Sequence, residues 1–242
     1  MGAVYEADRS HDLWNLAGDA EINDDLLSDQ VALPGKPVTP AMDPILRIHN
    51  PDLLDFLSTA WKEYTAALPD AQAVIAEMFI HPGLVEAMPV GRAPATNAYG
   101  RLGWFCFDTS SPLAEGSWHA ALASVDIALS GVDRLLAGEK VVYSLCRPPG
   151  HHATRSAFGG FCLMNNAAIA AQALIDDGAT RVTVLDVDAH HGNGTQQIFY
   201  QRGDVQFVSI HMPYRIFINV DLPAPFSPQI AWISPSSTAR ST

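Results

Sequence analysis

The chain has 242 residues, enough for one large α/β domain or two small ones, and its 48% hydrophobic and 17% charged residues are typical of an ordinary globular core. Its formal net charge of −12 disfavours nucleic acid and anionic membranes as partners, because their phosphate groups repel it. The three cysteines are irregularly spaced, and the N-terminus has neither a basic segment nor an apolar one. We therefore expect reduced thiols and a cytoplasmic protein.

Two long helices are predicted in the first part of the chain. Residues 50–68 have Asn50 as an N-cap and Pro51 at the first helical position, and apolar side chains then recur at helical spacing. Ser117 is predicted to cap a second helix over residues 118–137. Outside these helices we expect irregular structure over residues 1–48 and 81–116, and a short helix over 71–80.

Apolar runs that alternate with helices predict a mainly parallel sheet. The predicted strands are Lys140–Leu145, Arg181–Val187 and Val205–His211, and the helices between them are Asn165–Asp177 and Thr195–Tyr200. Such βαβ units indicate the α/β class with right-handed crossovers. Ligands bind at the carboxyl ends of parallel strands, so the polar loops that follow the first two strands should line the same rim.

The segment Val184–Gly194 reads Val-Leu-Asp-Val-Asp-Ala-His-His-Gly-Asn-Gly, a buried strand that runs into a polar loop. Asp188 and His190 are two residues apart, so both side chains point to the same side of an extended backbone. A carboxylate and an imidazole supply two of the three protein ligands of a catalytic zinc site, which activates water for attack on a carbonyl carbon. Taken alone, Asp-x-Asp after a strand is often only a turn or a loop that binds a divalent ion.

The preceding loop, Arg147–Gly160, contains the tandem histidines His151 and His152. They could supply a general base and a general acid, which typically contribute ~10²–10⁴-fold to a rate. Asp186 could orient one histidine through its Nδ1–H, and Asn193 could orient the other as a neutral partner. An isolated His-His pair is more often incidental, but the combination of these residues in this order is far more specific.

Three motifs together resemble the zinc-dependent histone deacetylase superfamily, and most closely its bacterial acetylpolyamine amidohydrolase branch. They are Arg-Pro-Pro-Gly-His-His-Ala over residues 147–153, Gly-Gly-Phe-Cys-Leu-Met-Asn-Asn over 159–166 and Asp-Val-Asp-Ala-His-His-Gly-Asn-Gly-Thr-Gln over 186–196. The resemblance implies an arginase-like, three-layer α/β/α fold with a mainly parallel sheet. It also implies zinc-dependent hydrolysis of acetylamide bonds on amines, by a domain that occupies residues 1–211.

The resemblance further assigns roles to single residues. The catalytic set would be His151, His152, Asp186 and Asn193, and the zinc ligands Asp188 and His190. Gly160 and Phe161 would line a narrow substrate channel. A potassium ion would lie beside the zinc loop, bound by Asp186, Ser209 and the carbonyl groups of Asp188, His190 and Ile210. The substrate would be a small cationic acetylated amine, which the acidic chain would attract, and acetyl-lysine in proteins is the alternative substrate.

Residues 212–242 depart from the family pattern. They are rich in Pro, Ser, Thr and Ala, and they contain no motif like the family's third zinc ligand, an Asp, or its oxyanion-stabilising Tyr. An oxyanion donor of this kind contributes ~2.7–4 kcal/mol to catalysis. We therefore expect an atypical tail, weak zinc binding and low activity. Because the strands that the family has after residue 211 are not evident either, we also expect an exposed sheet edge.

Two other interpretations of the motifs stay open. An arginase-like dinuclear manganese hydrolase would place a carboxylate two residues after His190, where Gly192 stands, so the residue types disfavour it. A non-enzymatic remnant of the fold would bind acetylated ligands without turnover, and the atypical tail favours it. A homodimer, and a partner chain that supplies missing parts, are both compatible with the sequence.

Overall fold

The computed structural model describes residues 42–79 and 96–210, and the backbone of residues 231–235. The helices within these ranges are α1 (Met42–Ile48), α2 (Pro51–Ala67), α3 (Ala98–Phe105), α4 (Ser117–Leu136), α5 (Asn166–Asp176) and α6 (Asn193–Phe199). The strands are β1 (Val182–Asp186), β2 (Val205–Ser209) and β3 (Ala231–Pro235). The segment 1–41, most of the predicted tail and the predicted loop residues 80–95 lie outside the described residues. None of the described helices is long and apolar enough to cross a membrane.

The sheet has β1 at its centre. β2 pairs with β1 in parallel, with Asp186 opposite Ser209, and β3 pairs antiparallel on the other side, with Asp186 opposite Ala231. The parallel β1–α6–β2 unit is the βαβ arrangement that the sequence predicts. The expectation that no strand follows residue 211 is wrong, because β3 covers the side of β1 opposite β2.

Two helices that the sequence predicts, α2 and α5, each begin with an asparagine side chain that caps the first turn. The Asn50 side chain accepts a hydrogen bond from the Asp52 N–H at 3.0 Å, and Asn165 caps α5 through the Ala168 N–H, also at 3.0 Å. The prediction for α4 is wrong in one detail. Its N-cap is Gly116, and Ser117 is the first helical residue, whose Oγ instead accepts from the N–H of Ala114.

Helices α4 and α5 are joined by a hydrogen bond between buried polar side chains. Ser124 of α4 is fully buried, and its Oγ accepts a hydrogen bond from the Asn166 amide at 2.8 Å. The same two side chains both bond to the carbonyl oxygen of Pro148, at 2.8 and 3.0 Å. This contact fixes the backbone two residues before Gly150, where the loop with the tandem histidines turns towards the site.

An aromatic cluster joins α2 and α3 to the loop that follows the histidines. The Phe56 ring lies 5.1 Å from the Phe105 ring and 6.2 Å from the Phe158 ring, centroid to centroid. The Phe158 N–H donates to the Phe105 carbonyl, and the Phe107 N–H donates to the Phe158 carbonyl. The end of α3 and the loop around Phe158 are therefore held together by both packing and backbone hydrogen bonds.

The predicted strand Lys140–Leu145 does not form within the described residues. Its side chains do alternate, since Val141, Tyr143 and Leu145 are 65%, 57% and 54% exposed, whereas the Ser144 hydroxyl bonds to the Ile127 carbonyl of α4. A strand, however, needs a neighbouring backbone for its ladder of hydrogen bonds. In the part of the chain that the structure describes, this segment pairs with no strand.

Two predictions before α4 are also wrong. The short helix expected over 71–80 is absent from residues 71–79, where Val74 instead forms an isolated antiparallel bridge with Leu113. Conversely, part of the expected loop 81–116 is helix α3. Its start is marked by Asn97, whose side chain accepts from the Gly100 N–H at 2.7 Å.

Candidate active site

The loop of the tandem histidines and the loop after β1 are joined by backbone hydrogen bonds. At the start of α6, the N–H groups of Gly194 and Thr195 both donate to the His151 carbonyl, at 2.9 and 3.1 Å. A Cβ atom at Gly194 would overlap the backbone of Ala153, so only glycine allows this approach. We expected each loop to follow a strand, and this is wrong for the loop of the tandem histidines, because residues 140–145 form no strand in the described structure. The two loops nevertheless lie against each other.

His151 and Asp186 form a buried pair. Nδ1 of His151 lies 2.8 Å from Oδ2 of Asp186, and their side chains are 6% and 10% exposed. Burial by itself would raise the pKa of the Asp186 carboxyl, but the hydrogen bond and charge of His151 and the N–H of Asp188 outweigh it and lower that pKa. An ionised carboxylate can only accept, so Nδ1 of His151 carries the hydrogen and Nε2 is the nitrogen able to take up a proton.

His152 has a neutral partner instead. Its Nδ1 lies 2.6 Å from Oδ1 of Asn193, and its ring is 4.0 Å from the His151 ring, centroid to centroid. Burial lowers the pKa of His152, and the neighbouring His151 and His190 lower it further, although Asn193 and Asp188 act in the opposite direction. The half-buried His152 is therefore neutral around pH 7, as a general base must be.

Asp188 and His190 lie side by side after β1. Oδ1 of Asp188 is 3.1 Å from Nδ1 of His190, and it also accepts the His190 N–H at 2.8 Å. Two ligand atoms about 2.0 Å from a tetrahedral zinc ion lie roughly 3.3 Å apart, so this oxygen and nitrogen suit neighbouring positions on one ion. The His190 ring is 6.0 Å from the His152 ring, centroid to centroid.

The described residues supply only part of a complete zinc site. Among residues 42–79 and 96–210, no group of three or more His, Cys, Asp or Glu side chains is placed to hold a metal ion. Asp188 and His190 thus fit zinc by donor type and spacing, but a third protein ligand is not found in these ranges. The remaining histidine of the loop, His191, contacts Gln196 through Nε2 at 2.5 Å.

One oxygen of the predicted potassium site makes no hydrogen bond to the described residues. The Ser209 hydroxyl is buried, without a partner among the described residues, on the strand position opposite Asp186. The Ile210 N–H donates to the Asp186 carbonyl at 2.8 Å, which brings the two backbones together. Hard cations prefer oxygen ligands, so the Ser209 hydroxyl suits such an ion. The full ligand set, with the carbonyls of Asp188, His190 and Ile210, stays a prediction.

Gly160 and Phe161 form a tight turn beside His152. Both residues have positive φ angles, 57° and 63°, and the Phe161 side chain is 61% exposed. A Cβ atom at Gly160 would overlap the His152 ring. Positive φ is uncommon for a residue other than glycine and costs of order 1 kcal/mol or more, so the surrounding contacts must hold Phe161 in place.

The contacts that hold Gly160 and Phe161 come from two residues that no motif in the sequence singles out. The Asp108 carboxylate accepts a hydrogen bond from the Gly160 N–H, and the Ser111 hydroxyl accepts the Phe161 N–H at 2.9 Å. Both lie in the polar stretch Asp-Thr-Ser-Ser of the predicted loop, the only signal in the sequence for their role. His49 is a third residue to which the sequence gave no role. It is fully buried and bonds to the backbone of both Thr154 and Asn165.

Comparisons with known proteins agree with this architecture. A model of the histone deacetylase domain matches residues 7–217. Acetylpolyamine amidohydrolase of Mycoplana ramosa is 43% identical over 178 residues, which are 72% of this chain and 49% of that protein. Acetylpolyamine amidohydrolase 2 of Pseudomonas aeruginosa is 47% identical over 173 residues, 70% of this chain and 47% of that protein. The chain thus spans about half the length of the curated relatives it matches.

Solved structures show the same fold. The acetylpolyamine aminohydrolase of Burkholderia pseudomallei aligns with a TM-score of 0.68 at 35% identity, covering 84% of this chain and 57% of that one. A histone deacetylase homologue from Aquifex aeolicus, 22% identical with a TM-score of 0.52, supports the fold alone. The predicted superfamily and α/β, deacetylase-like fold class are confirmed. This chain belongs to the histone deacetylase domain family.

Proposed function

We propose that this chain takes part in the hydrolysis of acetylamide bonds on small cationic amines, with acetylpolyamines as the substrate class. One observation carries the proposal: two adjacent histidines, one paired with a carboxylate and the other with a neutral amide, lie beside an Asp–His pair that suits zinc. The names of the Mycoplana ramosa and Pseudomonas aeruginosa relatives support the same substrate class.

Asp188 and His190 are the residues that would hold zinc. When bound there, zinc would polarise the acetyl carbonyl and activate a water molecule for attack. The two ligands sit in a rigid frame, because the Asp188 N–H donates to Oδ1 of Asp186 at 3.0 Å and the His190 N–H donates to Asp188. The carboxylate that orients His151 therefore also positions the proposed zinc ligands.

His152 is the residue that we assign to accept the proton of the attacking water. It is neutral, half-exposed and the member of the pair whose ring lies 6.0 Å from that of His190. A proton must then reach the nitrogen of the departing amine as the C–N bond breaks. We assign this second proton transfer to the pair of histidines together, since the His151 ring adjoins that of His152 and is oriented by its contact with Asp186.

Phe161 and Gly160 would form one wall of a narrow channel for the acetylated arm of the substrate. The exposed Phe161 ring directly follows Gly160, whose backbone lies against His152. The net charge of −12 would attract a polyamine body, and it would also attract a lysine-rich protein segment. Deacetylation of proteins is therefore the alternative within the same chemistry.

The full chain supplied with Zn²⁺ tests the proposal. Acetate release is measured from a monoacetylated diamine and, in parallel, from an acetyl-lysine peptide, and bound zinc is counted by elemental analysis. We expect one weakly bound zinc ion per chain, lost in Asp188→Ala, and a low turnover that is lost in His152→Ala. Zinc binding without turnover of either substrate, while the acetylated diamine still binds, would instead favour the ligand-binding remnant.

A further inference from the structure

His49, at the end of α1, joins two backbone groups that lie 105 and 116 residues further along the chain. Its Nδ1 is 2.9 Å from the carbonyl oxygen of Thr154, and its Nε2 is 2.9 Å from the amide nitrogen of Asn165. The side chain has no exposure to solvent. A buried polar side chain with both ring nitrogens engaged is held in a single orientation.

These two partners determine the protonation state of the His49 ring. The Thr154 carbonyl can only accept a hydrogen bond, so Nδ1 must carry a hydrogen, whereas the Asn165 N–H can only donate, so Nε2 must be unprotonated. Only the neutral Nδ1–H tautomer satisfies both. Burial is the main reason that the pKa of His49 falls to about 4, which agrees with a neutral ring.

The Thr154 bond holds the backbone immediately after the tandem histidines. Thr154 is two residues from His152, and the next residue, Arg155, accepts the N–H of Asn50 through its carbonyl at 2.7 Å. The segment His49–Asn50 thus contacts two consecutive carbonyls of the histidine loop. Without these contacts, the carbonyl groups of Thr154 and Arg155 would each lose the hydrogen-bond donor that holds them in place.

The Asn165 bond leads to the same loop from the other side. The Asn165 side-chain amide donates to the Ala153 carbonyl and to the Thr195 hydroxyl, both at 3.0 Å. The Thr195 N–H in turn donates to the His151 carbonyl. His49 therefore belongs to a continuous hydrogen-bond network that reaches the backbone on both sides of His152.

We propose that His49 is a positioning residue, which fixes the backbone of the tandem histidines relative to α5 and α6 through its two ring nitrogens. The inference rests on the proposed function for its effect on turnover, but its effect on the loop is independent of any activity. His49 contacts neither substrate nor metal in this role. It acts through Thr154 and Asn165, and so it sets the distance between His152 and its partner Asn193.

The test compares His49→Phe, which removes both hydrogen bonds, with His49→Gln, which retains one donor and one acceptor. Val132→Ala is the matched control, because Val132 is a buried residue of α4 and its truncation destabilises the fold by removing buried apolar volume. Amide hydrogen exchange and the ring 15N–1H signals of the histidines are measured by NMR in the full chain. Steady-state kcat and KM with zinc and a monoacetylated diamine form a separate readout.

We expect His49→Phe to speed exchange of the Asn165 and Thr195 amides well beyond the change in global stability, and to shift the His152 Nδ1–H signal. We also expect kcat to fall about 10- to 100-fold while KM stays within about twofold, with partial recovery in His49→Gln. Changes no larger than those in Val132→Ala would overturn the proposal. A wild-type His49 ring that carries its hydrogen on Nε2 at pH 7 would also overturn it. This measurement uses the wild type, so it does not depend on whether a variant folds.

The two proposals fail in different ways. If the wild-type chain with zinc has no turnover, the proposed function is overturned, and the exchange and ring signals still decide the role of His49. If His49→Phe does not fold, His49→Gln and the wild-type tautomer decide it. If turnover is present but insensitive to both His49 variants, the positioning role is overturned and the proposed function stands.

Discussion

A Cβ atom at Gly192 would overlap Oδ2 of Asp186, the oxygen that bonds to His151, and would lie 3.2 Å from Nδ1 of His151 itself. The backbone after β1 therefore passes against the His151–Asp186 hydrogen bond, with no room for a side chain. Gly192, which stands where a second metal ion would need a carboxylate, thus has a steric role in the structure. Only glycine lets the loop return to α6 while the histidine and carboxylate stay in contact.

The Gly192→Ala variant should consequently disrupt this pair. We expect a loss of about 1–3 kcal/mol of unfolding free energy, because the added methyl group forces apart buried groups, and a loss of most turnover. Urea unfolding and acetate release measure the two effects. Gly203→Ala is the matched control, because its Cβ atom would meet nothing within 4 Å. Equal stability and turnover in the two variants would contradict the close contact at Gly192.

Replacing Asp186 by Asn should separate charge from shape. The amide keeps the size of the side chain but carries no negative charge, and it can impose the wrong ring tautomer on His151. We expect kcat to fall by ~10²–10⁴-fold, as when the carboxylate partner of a catalytic histidine is neutralised elsewhere. The exposed Asp133→Asn variant controls for the loss of one negative charge. Full activity in Asp186→Asn would exclude a catalytic role for the pair.

The buried His49 should make stability depend on pH. Its pKa is about 4 in the folded chain and 6.5 in the unfolded chain, and the nearby Arg155 contributes to the lowering. Between these values the unfolded state binds more protons, so this contribution is fully present above pH 6.5 and is lost as the pH falls towards 4. The shift corresponds to about 3 kcal/mol.

Urea unfolding of the wild type and His49→Gln from pH 7.5 to 4 checks this expectation. The pKa of His152 is also lowered, so the wild type loses stability on acidification for more than one reason. The difference between the two proteins isolates the contribution of His49. It should shrink as the pH falls below 6.5, and a difference that stays constant across this range would show that His49 is not held neutral.

The three thiols should be unreactive in the folded chain. Burial raises the pKa of Cys162 to about 12 and those of Cys106 and Cys146 to about 11, so the reactive thiolate form is rare at neutral pH. With a chromogenic disulfide reagent at pH 7.5, we expect slow reaction of the native chain and rapid reaction of three thiols after unfolding. Fast labelling of Cys162 in the native chain would contradict its burial.

Much of the site was predictable from the sequence, because its signals are local. Asp188 and His190 were expected side by side from an extended backbone; they lie in bends after β1, where the His190 N–H bonds to Oδ1 of Asp188 and the two side chains are 3.1 Å apart. The sequence named Asp186 and Asn193 as partners of the two histidines without saying which pairs with which; in the structure His151 bonds to Asp186 and His152 to Asn193, and their catalytic roles stay predictions. Helix α2 was predictable for the same reason, since its cap and its first proline lie next to the helix they begin.

Other features depend on contacts between distant parts of the chain. Lys140–Leu145 has the composition of a strand but does not form one in the described structure, because pairing depends on a neighbour and not on propensity. Asp108 and Ser111 likewise have no distinctive local pattern, because their contacts with Gly160 and Phe161 form only in the folded chain.

The sequence by itself determined the family, the α/β class and the residue types of the candidate site, because these are written in short motifs and periodic patterns. Only the tertiary structure decided that His49 bonds to Thr154 and Asn165, and that Gly192 must lack a side chain. Hydrogen bonds and steric exclusion act over a few ångströms in space, and the partners of His49 lie more than a hundred positions away in the sequence.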